Sequence, residues 1–426
     1  MSQPRVALYF GDDIRCREWH QAGIYKLLLR DGIDTTDILD VSHTPWRQAL
    51  RRGWLRTLIY TEMARQGSVT AETKLKRRTA LRQNASKFIA QCSKDGITLA
   101  RFIEYYIPLD AAVDQQIYDL NPALIVLSTD IYRGQEVEII KAARKHAIPT
   151  LGLISSWDTL SAKGPYLVPP DHIAVWGQVQ RQQAIQQGFR SDQVHIVGSL
   201  RLDAPADYTS VVLPTTPYVV VAGTSLSYWK HEEQMVLSLG ELGRKEGFLV
   251  WYRPHPRRLG RLEGDLHTLR VKWGKSQVIF DAGNRIQSQP EPPGRLKAIL
   301  SRAHAVVTTF STVAVEAALC GTPSMLVGFG VTTEGMEGDQ YRVAGLAMEH
   351  AKFEHMSDVV SWPGVNLCQS YGDLTERVLW TVKNGPLTRL NAEALRSKAL
   401  EVVEDDGLAA TRLTKLILSL REKHGR

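Results

Sequence analysis

The sequence predicts an α/β protein built from two doubly wound, Rossmann-like domains. Three observations carry that expectation. The stretch from Thr308 to Gly330, preceded by the apolar run Ala305-Val306-Val307, reads as strand, hydroxyl-rich turn, buried helix and strand, one βαβ unit. The same alternation of short apolar runs and helical segments recurs on both sides of a polar stretch between Asp203 and Pro217 that carries Pro205, Pro214 and Pro217. Finally, 426 residues are too many for one ordinary domain and suit two.

Composition narrows the class. Charged residues at 23% and apolar residues at 43% are the proportions of a globular enzyme. No run approaches the roughly 18 apolar residues of a membrane span, and no signal peptide is recognisable ahead of Arg5, so a cytoplasmic place is expected. Cys16, Cys92, Cys320 and Cys368 lack CxxC spacing, which argues against structural zinc and against a disulfide framework. The net charge of +7 is modest, so the position of the positive residues matters more than their sum.

Taken in order, Val6 to Phe10 is a first core strand, and Gly11-Asp12-Asp13 forms the loop at its carboxyl end. Asp13 is a candidate catalytic carboxylate there, with helix capping as the alternative reading. A helix is expected from Trp19 to Arg30 and a second strand at Asp37-Ile38-Leu39.

Between Trp46 and Lys87 the character changes to a basic helical insertion, about 46–90. Arg47, Arg51, Arg52, Arg56, Arg65, Lys74, Lys76, Arg77, Arg78 and Arg82 face only Glu62 and Glu72, and Trp46, Leu50, Trp54, Leu55 and Leu58 recur among them. Two readings fit: a helix lying on an anionic bilayer surface at the inner face of the plasma membrane, or a helical pair whose apolar face meets the core. Nucleic acid is not expected, because no nucleic-acid module accompanies the charge.

The strand Ala123 to Leu127, a helix from Gln135 to His146 and the strand Ile148 to Ile154 lead to the polar loop Ser155 to Gly164. Parallel α/β proteins keep their chemistry at such strand ends. Further strands at 171–177 and 194–198 end in Gly198-Ser199-Leu200-Arg201-Leu202-Asp203. The second sheet starts at Tyr218, whose strand ends in the donor-site candidates Gly223, Thr224 and Ser225. Its helix runs from Glu232 to Glu246, and Phe248 to Tyr252 delivers Arg253-Pro254-His255-Pro256-Arg257-Arg258 to the same edge. After the strand Val278 to Phe280 and the helix Leu296 to Ala303 comes the opening βαβ unit, where Ser311 or Thr312 suits a helix N-cap. The boundaries expected are 1–206, 207–390 and a helical tail, 391–426, packing back over the first domain.

Four motifs, in order and spread over most of the chain, resemble those of the two-domain GT-B transferases of surface-polymer assembly. The nearest resemblance is to CDP-glycerol glycerophosphotransferases and the glycosyltransferases found beside them. Ser156 to Gly164 resembles the W-H-G-T-P-L-K-x-x-G loop, Gly198 to Asp203 the G-x-P-R-x-D segment, Arg253-Pro254-His255-Pro256 the R-P-H motif, and Ser311 to Glu316 the S-S-x-x-x-D/E stretch. Asp158 stands where those glycerophosphotransferases carry the histidine proposed as general base, so the resemblance gives Asp158 that role and favours sugar transfer. Turn capping is its structural alternative. Trp157, Lys163 and Arg201 are expected at the substrate.

A nucleotide-activated sugar is the co-substrate expected, with no further cofactor, and a glycan or lipid-linked acceptor. Arg253, His255, Arg258 and the helix start at Ser311-Thr312 would hold its phosphates, and Glu316 would reach the ribose. For His255 the alternative is a surface loop, and for Glu316 a nearby basic partner. No metal is expected, since no Asp-x-Asp pair suits Mg²⁺. A phosphoalcohol transferase with a CDP-linked donor and a non-hydrolysing UDP-N-acetylglucosamine 2-epimerase are the competing readings.

Overall fold

The computed structural model describes residues 5–11, 13–38, 45–76, 78–79, 82, 84–85, 95–129, 134, 136–224, 232–255, 273–281, 291–329 and 350–424. The chain divides into two compact units, Met1–Asp203 with Glu401–Arg426, and Ala204–Leu400. Against the expected boundary at 206/207 the division falls three residues earlier, and the returning tail begins at Glu401 rather than 391.

The first unit holds a six-stranded parallel sheet of β1 (Val6–Phe10), β2 (Thr35–Asp37), β3 (Leu124–Thr129), β4 (Thr150–Ile154), β5 (His172–Val175) and β6 (Val194–Ile196), in the order β2-β1-β3-β4-β5-β6. The period-two alternation of a strand divides its residues between two cores. Ala7, Tyr9, Ile125 and Leu127 face one side, where Leu55, Leu58 and Ile59 of the insertion meet Ala100, Val137 and Ile140. Val6, Leu8, Leu124 and Val126 face the other, where they meet Trp19, Ile24 and Leu28 with Leu413, Ile417 and Leu420 of the helix Ala409–His424. The C-terminal helix thus packs on the N-terminal sheet, as the sequence led us to expect. The helix expected over Trp19 to Arg30 is instead two, Asp13–Gln21 and Ile24–Arg30, broken at Gly23, whose φ of 70° a helix cannot hold.

The insertion resolves in favour of the core. Arg51 is 3% exposed and bonds Glu104 through two nitrogens, at 2.8 and 2.7 Å, and Glu138 at 2.7 Å. Burial alone would lower the Arg51 pKa, yet Glu104 and Glu138 carry it above its ordinary value. Arg47 bonds Asp110 at 3.0 Å, and Arg56 is 1% exposed. Arg51, buried and neutralised, and Arg56, buried, are interior groups, as the core-facing alternative for this stretch expects. The sequence window hid the reason: the carboxylates that balance Arg47 and Arg51 lie outside it, on Gly96–Tyr106, at Asp110 and on Glu136–Lys145. Among the described residues no helix is long and apolar enough to cross a membrane.

The second unit holds β7 (Tyr218–Ala222), β8 (Leu249–Arg253), β9 (Val278–Phe280), β10 (Ala305–Thr308), β11 (Ser324–Val327) and β12 (Val365–Cys368), again all parallel, in the order β12-β11-β10-β7-β8-β9. Val219, Val221, Val250, Tyr252, Ala305 and Val307 line one core, and Tyr218, Val220, Trp251 and Val306 the other. Chain order reverses at β7 and β10, the position where doubly wound sheets open a crevice at their carboxyl edge.

Candidate functional site

In the first unit the candidate residues follow β4. Ser155 and Ser156 leave the strand, and Trp157 turns inward to 5% exposure, so its ring packs in the interior and is no exposed platform for substrate. Asp158 takes the N-cap position of the short helix Thr159–Lys163 but makes no side-chain cap bond, and its side chain is partly exposed. Its backbone carbonyl accepts from Ala162 N–H at 2.7 Å and Ser161 Oγ at 3.2 Å. Lys163 ends the helix, partly exposed.

Groups that the sequence reading missed hold this loop in place. Buried Gln180 donates from Nε2 to Ser156 O at 2.9 Å and accepts from Trp176 N–H at 2.8 Å, while Trp176 Nε1 donates to Ile154 O at 2.9 Å. At the far end Arg56 Nη1 donates to Lys163 O at 2.8 Å and Pro165 O at 3.2 Å, Lys74 Nζ donates to Ala162 O, and Arg101 Nε to Tyr166 O at 3.1 Å. Separations of 88 to 109 residues put the first three bonds beyond any local motif.

Asp13 opens the helix after β1, and β1 is tied to β3 where Gly11 N–H donates to Ser128 O at 3.0 Å; the Asp13 side chain lies outside the described residues. Arg201 is exposed. The rest of its motif seats the returning chain: Asp203 accepts from Asp406 N–H at 3.0 Å, Gly407 N–H at 2.8 Å and Ala409 N–H at 2.6 Å. Gly198, at φ 87°, has a backbone that strains any side chain, and a Cβ there would lie tightly at 3.1 Å from Glu404 O and 3.2 Å from Ala409 Cβ. The motif's glycine and aspartate thus have structural duties.

In the second unit β8 and β10 both pair with β7, so Gly223-Thr224, Pro254-His255 and Phe310-Ser311-Thr312 leave one edge of the sheet side by side. Ser311 caps the helix Thr312–Leu319, accepting from Val313 N–H at 3.4 Å. Thr312 and His255 are partly exposed. Ser225 and Arg258 lie outside the described residues.

Three of the expected donor-site residues, Arg253, Gly223 and Thr224, meet carboxylates of their own unit. Arg253 is 6% exposed and is held by Asp281 at 3.2 Å and by Glu291 at 2.8 Å through Nη1, with a second bond from Nη2 to Glu291. Arg295 closes the quartet on Asp281 and Glu291. Burial disfavours the Arg253 charge, but Glu291, Asp281 and, less strongly, Glu316 raise its pKa above the ordinary value. Asp281, which burial would push up, is brought down to about 2 by Arg253, Arg295 and the Trp251 indole. Arg253 therefore anchors the strand end, and Glu316 lends its charge to Arg253. Thr224 N–H is likewise engaged, donating to fully buried Glu232 Oε2 at 2.6 Å, and a Cβ on Gly223 would lie 2.3 Å from Glu232 Oε1. A carboxylate at the start of the helix Glu232–Glu246 already satisfies the turn where a phosphate would bind. Among the described residues no three His, Cys, Asp or Glu side chains converge as metal ligands would.

No protein-family model matches the chain, and no curated protein matches it. Solved structures do. A UDP-N-acetylglucosamine 2-epimerase is similar at a TM-score of 0.52 and 12% identity, over 100% of this chain and 98% of that one. The UDP-GlcNAc 2-epimerase of Neisseria meningitidis, solved with UDP-GlcNAc bound, is similar at 0.50 and 13%, over 98% and 100%. The glycotransferase of kitacinnamycin is similar at 0.51 and 10%, over 99% and 100%. The chain has the GT-B fold. At these identities the likeness extends to the fold alone, and within the GT-B frame the residues decide the chemistry.

Proposed function

We infer that the protein is a GT-B glycosyltransferase that moves a sugar from a nucleotide-activated donor to a hydroxyl acceptor. One observation carries this reading. The turn at Pro254-His255 and the helix start at Ser311-Thr312 leave the same sheet edge on either side of β7. Adjacent strands lie about 4.8 Å apart, so the two features stand about 10 Å from each other, a span suited to a diphosphate. The helix N-terminus supplies positive potential, and the imidazole a hydrogen bond, to the leaving group as charge develops. By its place in the loop that resembles the transferase motif, Asp158 is the base: it takes the acceptor proton while the acceptor oxygen bonds the anomeric carbon and the bond from that carbon to phosphate breaks. The motifs suggest a surface glycan or its lipid-linked precursor as acceptor.

A second reading draws on two of the similar structures, which are UDP-GlcNAc 2-epimerases. An epimerase would convert UDP-GlcNAc to its C2 epimer with no acceptor present. Incubation with CMP-, CDP- and UDP-linked donors, with and without glycan acceptors, separates the readings. Acceptor-dependent release of nucleotide supports transfer, acceptor-free epimer supports the alternative, and transfer from CDP-glycerol alone returns the enzyme to the phosphoalcohol class. Asp158→Asn should lower turnover about 100-fold or more with donor affinity preserved. Near-normal turnover would remove Asp158 as the base.

A further inference from the structure

Within the insertion Arg47, Arg51, Arg65 and Lys76 pair with carboxylates. Arg56 and Lys74 donate to backbone carbonyls of one short segment, joined there by Arg101. We propose that Arg56 is a positioning residue for Asp158, and that the insertion exists in part to clamp the C-terminal end of the helix that Asp158 begins.

The helix Thr159–Lys163 has five residues, too few to hold its shape alone. Its last carbonyls have no partners within it and carry partial negative charge, which cations complement. Arg56 and Lys74 meet this need at Ala162, Lys163 and Pro165, from the helices Arg56–Arg65 and Val69–Lys76. Between those carbonyls Gly164 adopts φ 77°, and a Cβ there would lie 2.8 Å from Met63 Sδ and 3.3 Å from Ile59 Cγ2. The insertion helix therefore lies directly against the backbone that the guanidinium holds.

Asp158 O accepts from Ala162 N–H at 2.7 Å, so the clamped end and the candidate base belong to one turn of helix. The entry to the loop is pinned separately by Gln180 at Ser156 O. Both ends of the segment that carries Asp158 are thus fixed through its backbone. Releasing the C-terminal end should let the helix fray and Asp158 swing.

The catalytic part of this proposal rests on Asp158 acting as base, while the clamp itself does not, and the experiment separates the two. Amide hydrogen exchange of the full-length protein is followed over residues 159–167 in the wild type, Arg56→Met, Arg56→Lys, Lys74→Met and, as a control, exposed Lys76→Met, whose partner is Glu72. Arg56→Met should speed exchange in that segment about tenfold or more with peptides of the second unit unchanged, Lys74→Met should do so less, and Lys76→Met should leave it alone. With a donor that turns over, Arg56→Met should lower kcat about tenfold to hundredfold with KM for donor within about twofold, and Arg56→Lys should recover most of the loss. The acid limb of the kcat profile should move in Arg56→Met and stay in Lys76→Met. Unchanged exchange in a folded Arg56→Met overturns the clamp. Faster exchange with unchanged kcat and acid limb overturns positioning. If Asp158→Asn shows that Asp158 is not the base, the catalytic role of Arg56 falls with it, and the exchange result still decides the clamp.

Discussion

Glu232 reaches back from the first turn of its helix to accept the backbone N–H of Thr224 at 2.6 Å, while its other oxygen takes the Tyr252 hydroxyl at 2.7 Å. A fully buried carboxylate thus closes the turn after β7 from inside the second unit. The bond to Thr224 satisfies a backbone donor at the sheet edge, and the bond to Tyr252 a hydroxyl in the core.

Gly223 is the cost of that arrangement. A methyl group there would come within 2.3 Å of Glu232 Oε1, so Gly223→Ala must displace either the carboxylate or the strand end. We expect Gly223→Ala to destabilise by about 1–3 kcal/mol. Glu232→Gln should cost about 1–3 kcal/mol, because an amide cannot accept from both Thr224 and Tyr252. Denaturant midpoints read both changes, and midpoints equal to the wild type would mean the turn does not depend on this contact.

The Arg253 quartet gives a second expectation. Truncating one member of a buried charge cluster leaves the others uncompensated, so Arg253→Met should destabilise by about 3–5 kcal/mol. The pH dependence follows from Asp281. Its folded pKa of about 2 lies below the ordinary value of 3.8, so its contribution is complete above that value and is lost as pH falls from 3.8 through 2. Asp281→Asn should therefore be less stable near neutrality and lose less of its stability in acid. An acid limb identical to the wild type would remove Asp281 from the account.

How much of this was legible in the sequence varies with the range of the interaction. Strands such as Tyr218–Ala222 and Ala305–Thr308 are continuous apolar runs, and Ser311 announces its helix by local chemistry alone. The strand Val365–Cys368 was not anticipated, because a four-residue edge strand with Asn366 inside it carries too little pattern. Arg253 could be placed at a strand end but not assigned partners, since Asp281 and Glu291 lie 28 and 38 residues away. The insertion shows the limit most plainly. Counting charge between Trp46 and Lys87 leaves a bilayer surface and a core-facing helical pair both open, because the anions that meet Arg51, Glu104 and Glu138, lie outside that window.

Asp203 is the anchor of the returning chain, and its removal should show it. Three backbone N–H groups at Asp406, Gly407 and Ala409 converge on one carboxylate, the arrangement of a helix cap supplied from a distant part of the chain. Asp203→Ala should cost about 1–3 kcal/mol and raise hydrogen exchange across the helix Ala409–His424 more than elsewhere in the first unit. A uniform rise would mean that the helix is held by Leu413, Ile417 and Leu420 alone.

The last expectation concerns mild acid. His172 Nδ1 lies 3.2 Å from His195 Nε2 on the neighbouring strand, and both rings cannot be protonated in that contact. Burial, and then the facing His172, lower the His195 pKa from 6.5, with a small addition from Lys423 and opposition from Asp192. Burial lowers His304 in the second unit as well. A histidine whose folded pKa is depressed binds its proton first in the unfolded chain, so its stabilising contribution is whole above 6.5 and is lost as pH falls through the folded value. Stability of the protein should therefore decline on acidification below that point, well before carboxylates such as Asp281 begin to titrate. His195→Asn should flatten this decline without abolishing it, because His304 remains, and the double variant His195→Asn, His304→Asn should flatten it further. Urea midpoints measured at intervals between about pH 7.5 and 5 test this. A His195→Asn slope equal to the wild-type slope would mean that the strand pair yields and lets both imidazoles charge.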